Sequence, residues 1–205
     1  MKKIAILDYG MGNLRSVQKA FECMGSRALL SDDKGEIESS DALVVPGVGA
    51  FDDCVINIKR AGLDESIAGF IASGRPFFGI CLGYQVLFEG SEEGKEKGLG
   101  ILKGNVVKFR SAEKIPHMGW NTLELSDSGS RCPLFKGIKT GDFFYFVHSY
   151  YVDAADKQYV SSWTEYGERF ASSVFTGNIF ACQFHPEKSQ DNGLKIIKNF
   201  IGMVK

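Results

Sequence analysis

The sequence has no excess of charge of either sign, since 24 Lys and Arg against 25 Asp and Glu leave a net charge of −1. A chain of this balance offers no field to hold phosphate backbones or anionic headgroups, which argues against nucleic acid and membrane surfaces as partners. Long apolar runs are also missing. The longest mainly apolar stretch, Ala42 to Phe51, is interrupted by Pro46, Gly47 and Gly49 and falls short of the roughly 18 residues of a spanning helix. Near the start, Ile4 to Leu7 ends at Asp8, too short for the apolar region of a secretory signal, so a cytoplasmic location is expected. Cysteine is sparse and unpatterned: Cys23, Cys54, Cys81, Cys132 and Cys182 are odd in number and never spaced C-x-x-C. That argues against a disulfide framework and a zinc knuckle. Repeats, low-complexity tracts and linkers are absent, so residues 1–205 read as one domain, with the 44% hydrophobic and 24% charged residues of an ordinary globular protein.

What is present is an alternation of strand and helix. Ile4 to Leu7 is an apolar run without polar alternation, as in a strand buried on both faces. Leu14, Val17, Phe21 and Met24 then line one side of a helix, with Asn13 as its N-cap and Gly25 as its stop. Further strands are expected at Ala28 to Leu30, Ala42 to Val45 and Pro76 to Ile80, with a helix carrying Leu63, Ile67, Phe70 and Ile71 that ends at Gly74. This order predicts a parallel sheet covered on both faces. Beyond Gly100 the pattern turns antiparallel: Leu123 and Leu125 alternate with Thr122 and Glu124, and Thr176-Gly177-Asn178 separates Ser172 to Phe175 from Ile179 to Phe184. Leu194, Ile197, Ile201 and Val204 mark a closing helix, and Ser91 to Gly98 reads as a solvated charged loop. The expected class is α/β, with a mainly parallel central sheet flanked by helices and antiparallel additions in the second half.

Gly79-Ile80-Cys81-Leu82-Gly83 falls where the fourth strand ends and an apolar helical stretch (Tyr84, Leu87, Phe88) begins. It has the form of a nucleophile elbow with Cys in place of Ser: glycines flank a sharp strand-to-helix turn that exposes the nucleophile and leaves nearby amides for an oxyanion. A helix N-terminus beneath Cys81 would favour thiolate. The chain holds three candidate bases, His117, His148 and His185. In Gln183-Phe184-His185-Pro186-Glu187, His185 ends an apolar strand. Residues i and i+2 of an extended chain share a face, so Glu187 would accept from one imidazole nitrogen and leave the other for Cys81. Val45-Pro46-Gly47-Val48-Gly49 ends another strand near the same sheet edge, well placed for a second oxyanion donor. Each segment alone also has a bland reading, as a buried structural Cys, a surface His–Glu pair or a plain turn.

The elbow, extended to Tyr84-Gln85, and the Gln183 to Glu187 segment together resemble the class I glutamine amidotransferases. More narrowly, four segments look like the family of glutaminase subunits of imidazole glycerol phosphate synthase: Asp8-Tyr9-Gly10-Met11-Gly12-Asn13-Leu14, Pro46 to Phe51, Pro116-His117-Met118-Gly119-Trp120-Asn121 and His185-Pro186-Glu187-Lys188-Ser189. The resemblance implies hydrolysis of L-glutamine to glutamate and ammonia, with Cys81 as nucleophile, His185 as base then acid, and Glu187 orienting His185. It implies an oxyanion hole from the N–H groups of Val48 and Leu82. Gly47, Gly49, Gln85, His148, Ser149 and Tyr150 match glutamine-binding positions, while His117 and His148 are left non-catalytic. It further implies a (β/α)8-barrel cyclase subunit that receives the ammonia and makes imidazole glycerol phosphate and an aminoimidazole carboxamide ribonucleotide. Gly12, Asn13, Trp120 and Lys188 would lie on the side facing that subunit, and neither a cofactor nor a metal is implied.

Two rivals remain at this point, since the intact triad argues against a third, an interaction protein that keeps the fold without turnover. Gly10-Met11-Gly12 after the first strand, with Asp32 and Asp33 downstream, suggests a dinucleotide-binding oxidoreductase, but Arg15 occupies the third glycine position. The other rival is a glutaminase serving pyridoxal phosphate synthase or a nucleotide-sugar pathway, with identical chemistry at Cys81.

Overall fold

The computed structural model describes residues 2–112 and 114–204. Its first half runs β1 (Ile4–Leu7), α1 (Leu14–Cys23), β2 (Ala28–Ser31), α2 (Lys34–Glu38), β3 (Ala42–Gly47), α3 (Phe51–Arg60), α4 (Leu63–Ala72), β4 (Phe77–Cys81) and α5 (Leu82–Gln85). The second half runs β5 (Gly104–Lys108), β6 (His117–Thr122), β7 (Glu124–Leu125), α6 (Asp127–Arg131), β8 (Phe143–His148), β9 (Tyr150–Ala154), β10 (Val160–Glu165), β11 (Arg169–Thr176), β12 (Ile179–Cys182) and α7 (Gln190–Met203).

Strands β2, β1, β3, β4 and β12 lie side by side and parallel. The expected hairpin forms, with Thr176 opposite Ile179 across Gly177 and Asn178. Its second arm, β12, inserts beside β4, while β11, β10 and β7 continue the sheet antiparallel. β5 and β9 extend this sheet, and β6 pairs with β8 in a separate two-stranded ribbon. The continuous apolar strand sequences follow from burial on both faces. Ala5, Leu7, Leu43, Val45 and Phe77 join one core with Ile58 of α3 and Ile67 and Phe70 of α4. Ile4, Ile6, Val44, Phe78 and Ile80 join the other with Phe21 of α1 and Phe200 of α7.

Several boundaries depart from the sequence expectation. Three helices, α2, α3 and α6, were not foreseen; α2 starts at Asp33, whose carboxylate accepts from the Glu36 N–H at 2.8 Å, a local N-cap. Asn13 precedes α1 as expected, but its side chain accepts from the Ser16 hydroxyl rather than from a helix N–H. The helix after Cys81 is one turn of four residues. It ends there because the carbonyls of Val86, Leu87 and Phe88 accept from the N–H groups of Leu99, Leu102 and Gly100 instead of continuing a helix. The charged loop 91–98 is tied down: Asp52 accepts from the Lys95 and Glu96 N–H groups, and Glu93 accepts from that of Phe51. Among the described residues no helix is long and apolar enough to cross a membrane.

The elbow is locked by close approach. A Cβ on Gly83 would collide with the Val45 carbonyl oxygen, and one on Gly79 would collide with the Gly83 carbonyl. Backbone cannot retreat as a flexible side chain does, so Gly83→Ala is expected to destabilise the protein by about 3 kcal/mol or more, read as a lower urea midpoint.

Candidate active site

Parallel sheets place ligand sites beyond the carboxyl ends of their strands, and three such ends converge here. Gly47 ends β3 opposite Cys81 at the end of β4, and β12 leads through Gln183 and Phe184 to His185. Cys81 has φ +55° and ψ −106°, a conformation that L-residues avoid and that is held only where the surroundings over-determine it. It turns the thiol out of the sheet while leaving the residue 6% exposed.

His185 Nδ1 and Glu187 Oε1 are 2.8 Å apart, with both side chains 2% exposed. The expected route to this contact was an extended chain through Glu187. The strand instead stops at Cys182, and Glu187 lies in a 3₁₀ turn over Pro186–Lys188. The turn brings the carboxylate under the ring, and Ser189 braces it by donating to the His185 carbonyl at 2.6 Å and accepting from the Tyr145 N–H at 2.9 Å. His185 Nε2 makes no hydrogen bond and is left for Cys81. Burial alone would depress this imidazole. Interaction with Cys81 and the Glu187 carboxylate prevails and raises it to about 10, which favours an imidazolium.

A cavity of about 290 Å³ opens over Cys81, lined by Val48, Gly49, Leu82, Gln85, Glu93, Pro116, Val147, His148, Ser149 and Tyr150. It thus gathers both expected oxyanion residues and all but one of the expected glutamine-binding positions. The exception is Gly47, at the end of β3 opposite Cys81, where a Cβ would meet the Tyr9 hydroxyl and Leu82. Its requirement is close packing of β3 on the elbow. Tyr9 donates to the Pro46 carbonyl at 2.7 Å and accepts from Cys54 Sγ, so it pins the strand end that carries Val48.

Sequence reasoning missed Glu93, the acidic member of the wall, because a run rich in Glu and Lys carries no sign that one carboxylate turns inward. Gln183 was quoted without a role, yet its Nε2 stands 3.6 Å from Cys81 Sγ. His117 and His148 form a buried pair, Nδ1 to Nε2 at 2.9 Å. The Tyr150 carbonyl can only accept, so His148 Nδ1 donates to it at 2.8 Å. His148 Nε2 therefore accepts from His117 Nδ1, and His117 Nε2 accepts from Asn121. Burial lowers His117 to about 4 and, together with the charges of His117 and His185, lowers His148 to about 3.

Gly12 lies close to the Gly47 backbone, and Asn13 precedes α1. Trp120 is 46% exposed on the β6–β8 ribbon, beside exposed Met118 and Phe143, and Lys188 reaches over the Tyr145 ring at 5.8 Å. Trp120 is therefore no core residue.

A strained cysteine elbow and a buried His–Glu pair at the carboxyl edge of a parallel sheet define a cysteine-dependent amide-transfer site. The model of the family described as glutamine amidotransferase class-I matches residues 5–203, and the chain belongs to that family. Among its relatives, the protein named imidazole glycerol phosphate synthase subunit HisH from Caldanaerobacter subterraneus subsp. tengcongensis is 51% identical, over 98% of each chain. HisH proteins of Rhodopirellula baltica (50%, 96% of each chain) and Methanocaldococcus jannaschii (48%, 98% of this chain and 100% of the other) are similarly close. Two solved structures share the fold: PurLQS from Thermotoga maritima (TM-score 0.78, 21% identity, 100% and 99% coverage) and the glutaminase domain of Trypanosoma brucei CTPS with bound acivicin (0.72, 18%, 100% and 94%). The family membership sets the oxidoreductase alternative aside.

The His117–His148 pair has a consequence for stability. Each imidazole is held below its ordinary 6.5, so between that value and 4 to 3 the unfolded chain binds more protons than the folded one. The stability present above pH 6.5 is lost as pH falls through this window. The urea midpoint of the parent is expected to drop there, and His117→Gln is expected to reduce that slope.

Proposed function

We infer that this site hydrolyses L-glutamine through Cys81, His185 and Glu187. The chain is a glutaminase subunit of imidazole glycerol phosphate synthase, acting in histidine biosynthesis, and its ammonia goes to a cyclase subunit. The single observation carrying the chemical reading is the His185–Glu187 hydrogen bond with His185 Nε2 left unpartnered beside the strained Cys81.

The Cys81 thiolate attacks the side-chain carbonyl carbon of glutamine, and the oxygen becomes an oxyanion held by the backbone N–H groups of Val48 and Leu82. Bond formation removes the sulfur's charge. That charge is a main reason why buried His185 keeps its proton, so its loss makes the imidazolium a stronger acid at the moment when the leaving amine needs a proton. Ammonia departs and a glutamyl thioester remains. Neutral His185 then takes a proton from water, which attacks the thioester and releases glutamate. Glu187 keeps Nδ1 protonated and the ring aimed throughout.

Gly49, Gln85, His148, Ser149 and Tyr150 shape the glutamine pocket. Glu93, the acidic residue in its wall, receives the substrate's α-ammonium group. A (β/α)8-barrel cyclase docks on the face carrying Gly12, Asn13, Trp120 and Lys188, where exposed Met118 and Phe143 supply apolar surface. The whole chain serves as one glutaminase domain. Five unpaired thiols suit the reducing cytoplasm.

Cys81→Ala is expected to abolish glutamine hydrolysis with the circular dichroism spectrum unchanged, while the cyclase still turns over on supplied ammonia. Retained glutaminase activity in that variant would exclude Cys81 as nucleophile. Glu93→Gln, by contrast, should raise KM for glutamine by about tenfold or more with kcat little changed, because it removes one charge-assisted contact to the substrate; steady-state kinetics with the cyclase present measures the split.

A further inference from the structure

We propose that Gln183 is a further catalytic residue, whose side-chain amide donates a hydrogen bond to the sulfur of Cys81 and holds it as a thiolate aimed into the cavity. The proposal rests on reading Cys81 as the nucleophile.

Which end of a buried amide faces a neighbour is decided by its partners, and here the partners leave no choice. The Tyr150 carbonyl has acceptor character alone, and Gln85 lies 3.0 Å from it, so Gln85 presents its NH₂ group there. That same nitrogen lies 2.8 Å from Gln183 and spends its second hydrogen on this contact, so the facing atom of Gln183 is its carbonyl oxygen. The other end of Gln183, its Nε2, therefore points at Cys81 Sγ, 3.6 Å away, a reach suited to a sulfur acceptor. Gln183 is fully buried, and its backbone N–H is held by the Ser172 carbonyl at 2.9 Å.

An amide N–H stabilises sulfur that carries charge far more than neutral thiol, because charge-assisted hydrogen bonds are about twice as strong as neutral ones. The titratable groups around Cys81 are His185, Cys182, Cys54 and Tyr9, with Glu93, His148 and Tyr150 in the wall of the same cavity. Of these, only His185 brings a positive charge, and Gln183 supplies a second, uncharged donor from a different direction. His185 gives its proton away in the cycle; Gln183 has none to give. Its contact is available to the attacking thiolate and again to the thiolate expelled when the thioester is hydrolysed.

The test is alkylation of Cys81 by iodoacetamide across pH, using the purified full-length chain and reading the Cys81 peptide by mass spectrometry so that exposed Cys23 is not counted. Gln183→Met removes the donor at similar volume. Gln183→Glu keeps the acceptor for Gln85 and places an oxygen against the sulfur. Both are expected to be alkylated about tenfold to a hundredfold more slowly at pH 7 and to need a higher pH than the parent to reach half their maximal rate. A merely structural role, bracing Gln85, would raise KM for glutamine and leave alkylation alone. Alkylation matching the parent in either folded variant overturns the proposal. Should neither variant fold, the unsubstituted protein decides: alkylating Cys81 is expected to shift the ¹⁵N-labelled Gln183 side-chain amide resonances, and an unshifted signal overturns the proposal. Turnover retained by Cys81→Ala would instead remove the nucleophile reading itself, so the two failures are distinguishable.

Discussion

The contact between Gly83 and the Val45 carbonyl, too tight to admit a Cβ, is the constraint on which the site depends. It presses the turn after β4 onto β3, and that pressure is what keeps Cys81 in a conformation its own side chain disfavours. Parallel pairing of β3, β4 and β12 then brings the Val48 segment and His185 to either side of the same sulfur. A looser turn would let Cys81 relax into the sheet, and the groups gathered around it would face the wrong atom.

Around that fixed sulfur, polarity is set by groups that cannot reverse. Backbone carbonyls accept and never donate, so the Tyr150 carbonyl orients both His148 and Gln85. From it one series of donors runs through His117 to Asn121, and another runs through Gln183 to Cys81. The Glu187 carboxylate does the same for His185. Burial makes such wiring effective: in a dry interior an imidazole is neutral when its partners are dipoles, as in His148, and charged when its partners are anions, as in His185. Three histidines of one type thus take two different states for reasons of environment alone.

Much of this was legible in the chain. Period and composition marked the first four parallel strands, the hairpin at Gly177 and the closing helix, because each is a local pattern of burial; the parallel pairing of the hairpin's second arm with β4 is a long-range contact that left no such pattern. The flanking glycines marked Cys81, since a strained turn with close backbone approach must leave its mark on composition. The adjacency of His185 and Glu187 marked their pairing, although the extended geometry used to argue it was wrong and a 3₁₀ turn delivers the contact. Helix α3 went unread because Pro46, Gly47 and Gly49 before it look like the end of structure rather than a junction, and the single turn at α5 was over-extended because Leu87 and Phe88 have apolar helical spacing.

The sequence by itself determined the layered α/β arrangement, the cysteine elbow and the pairing of His185 with Glu187, since these rest on residue type and short-range spacing. Only the tertiary structure decided which carboxylate of the 91–98 loop enters the pocket, that Gly47 packs tightly on Tyr9 and Leu82, and that Gln183 meets the sulfur. Each of these is a contact between segments far apart in the chain, and its direction is fixed by hydrogen-bond donors and acceptors, or by the space left for a Cβ, that come together only when the strands pair.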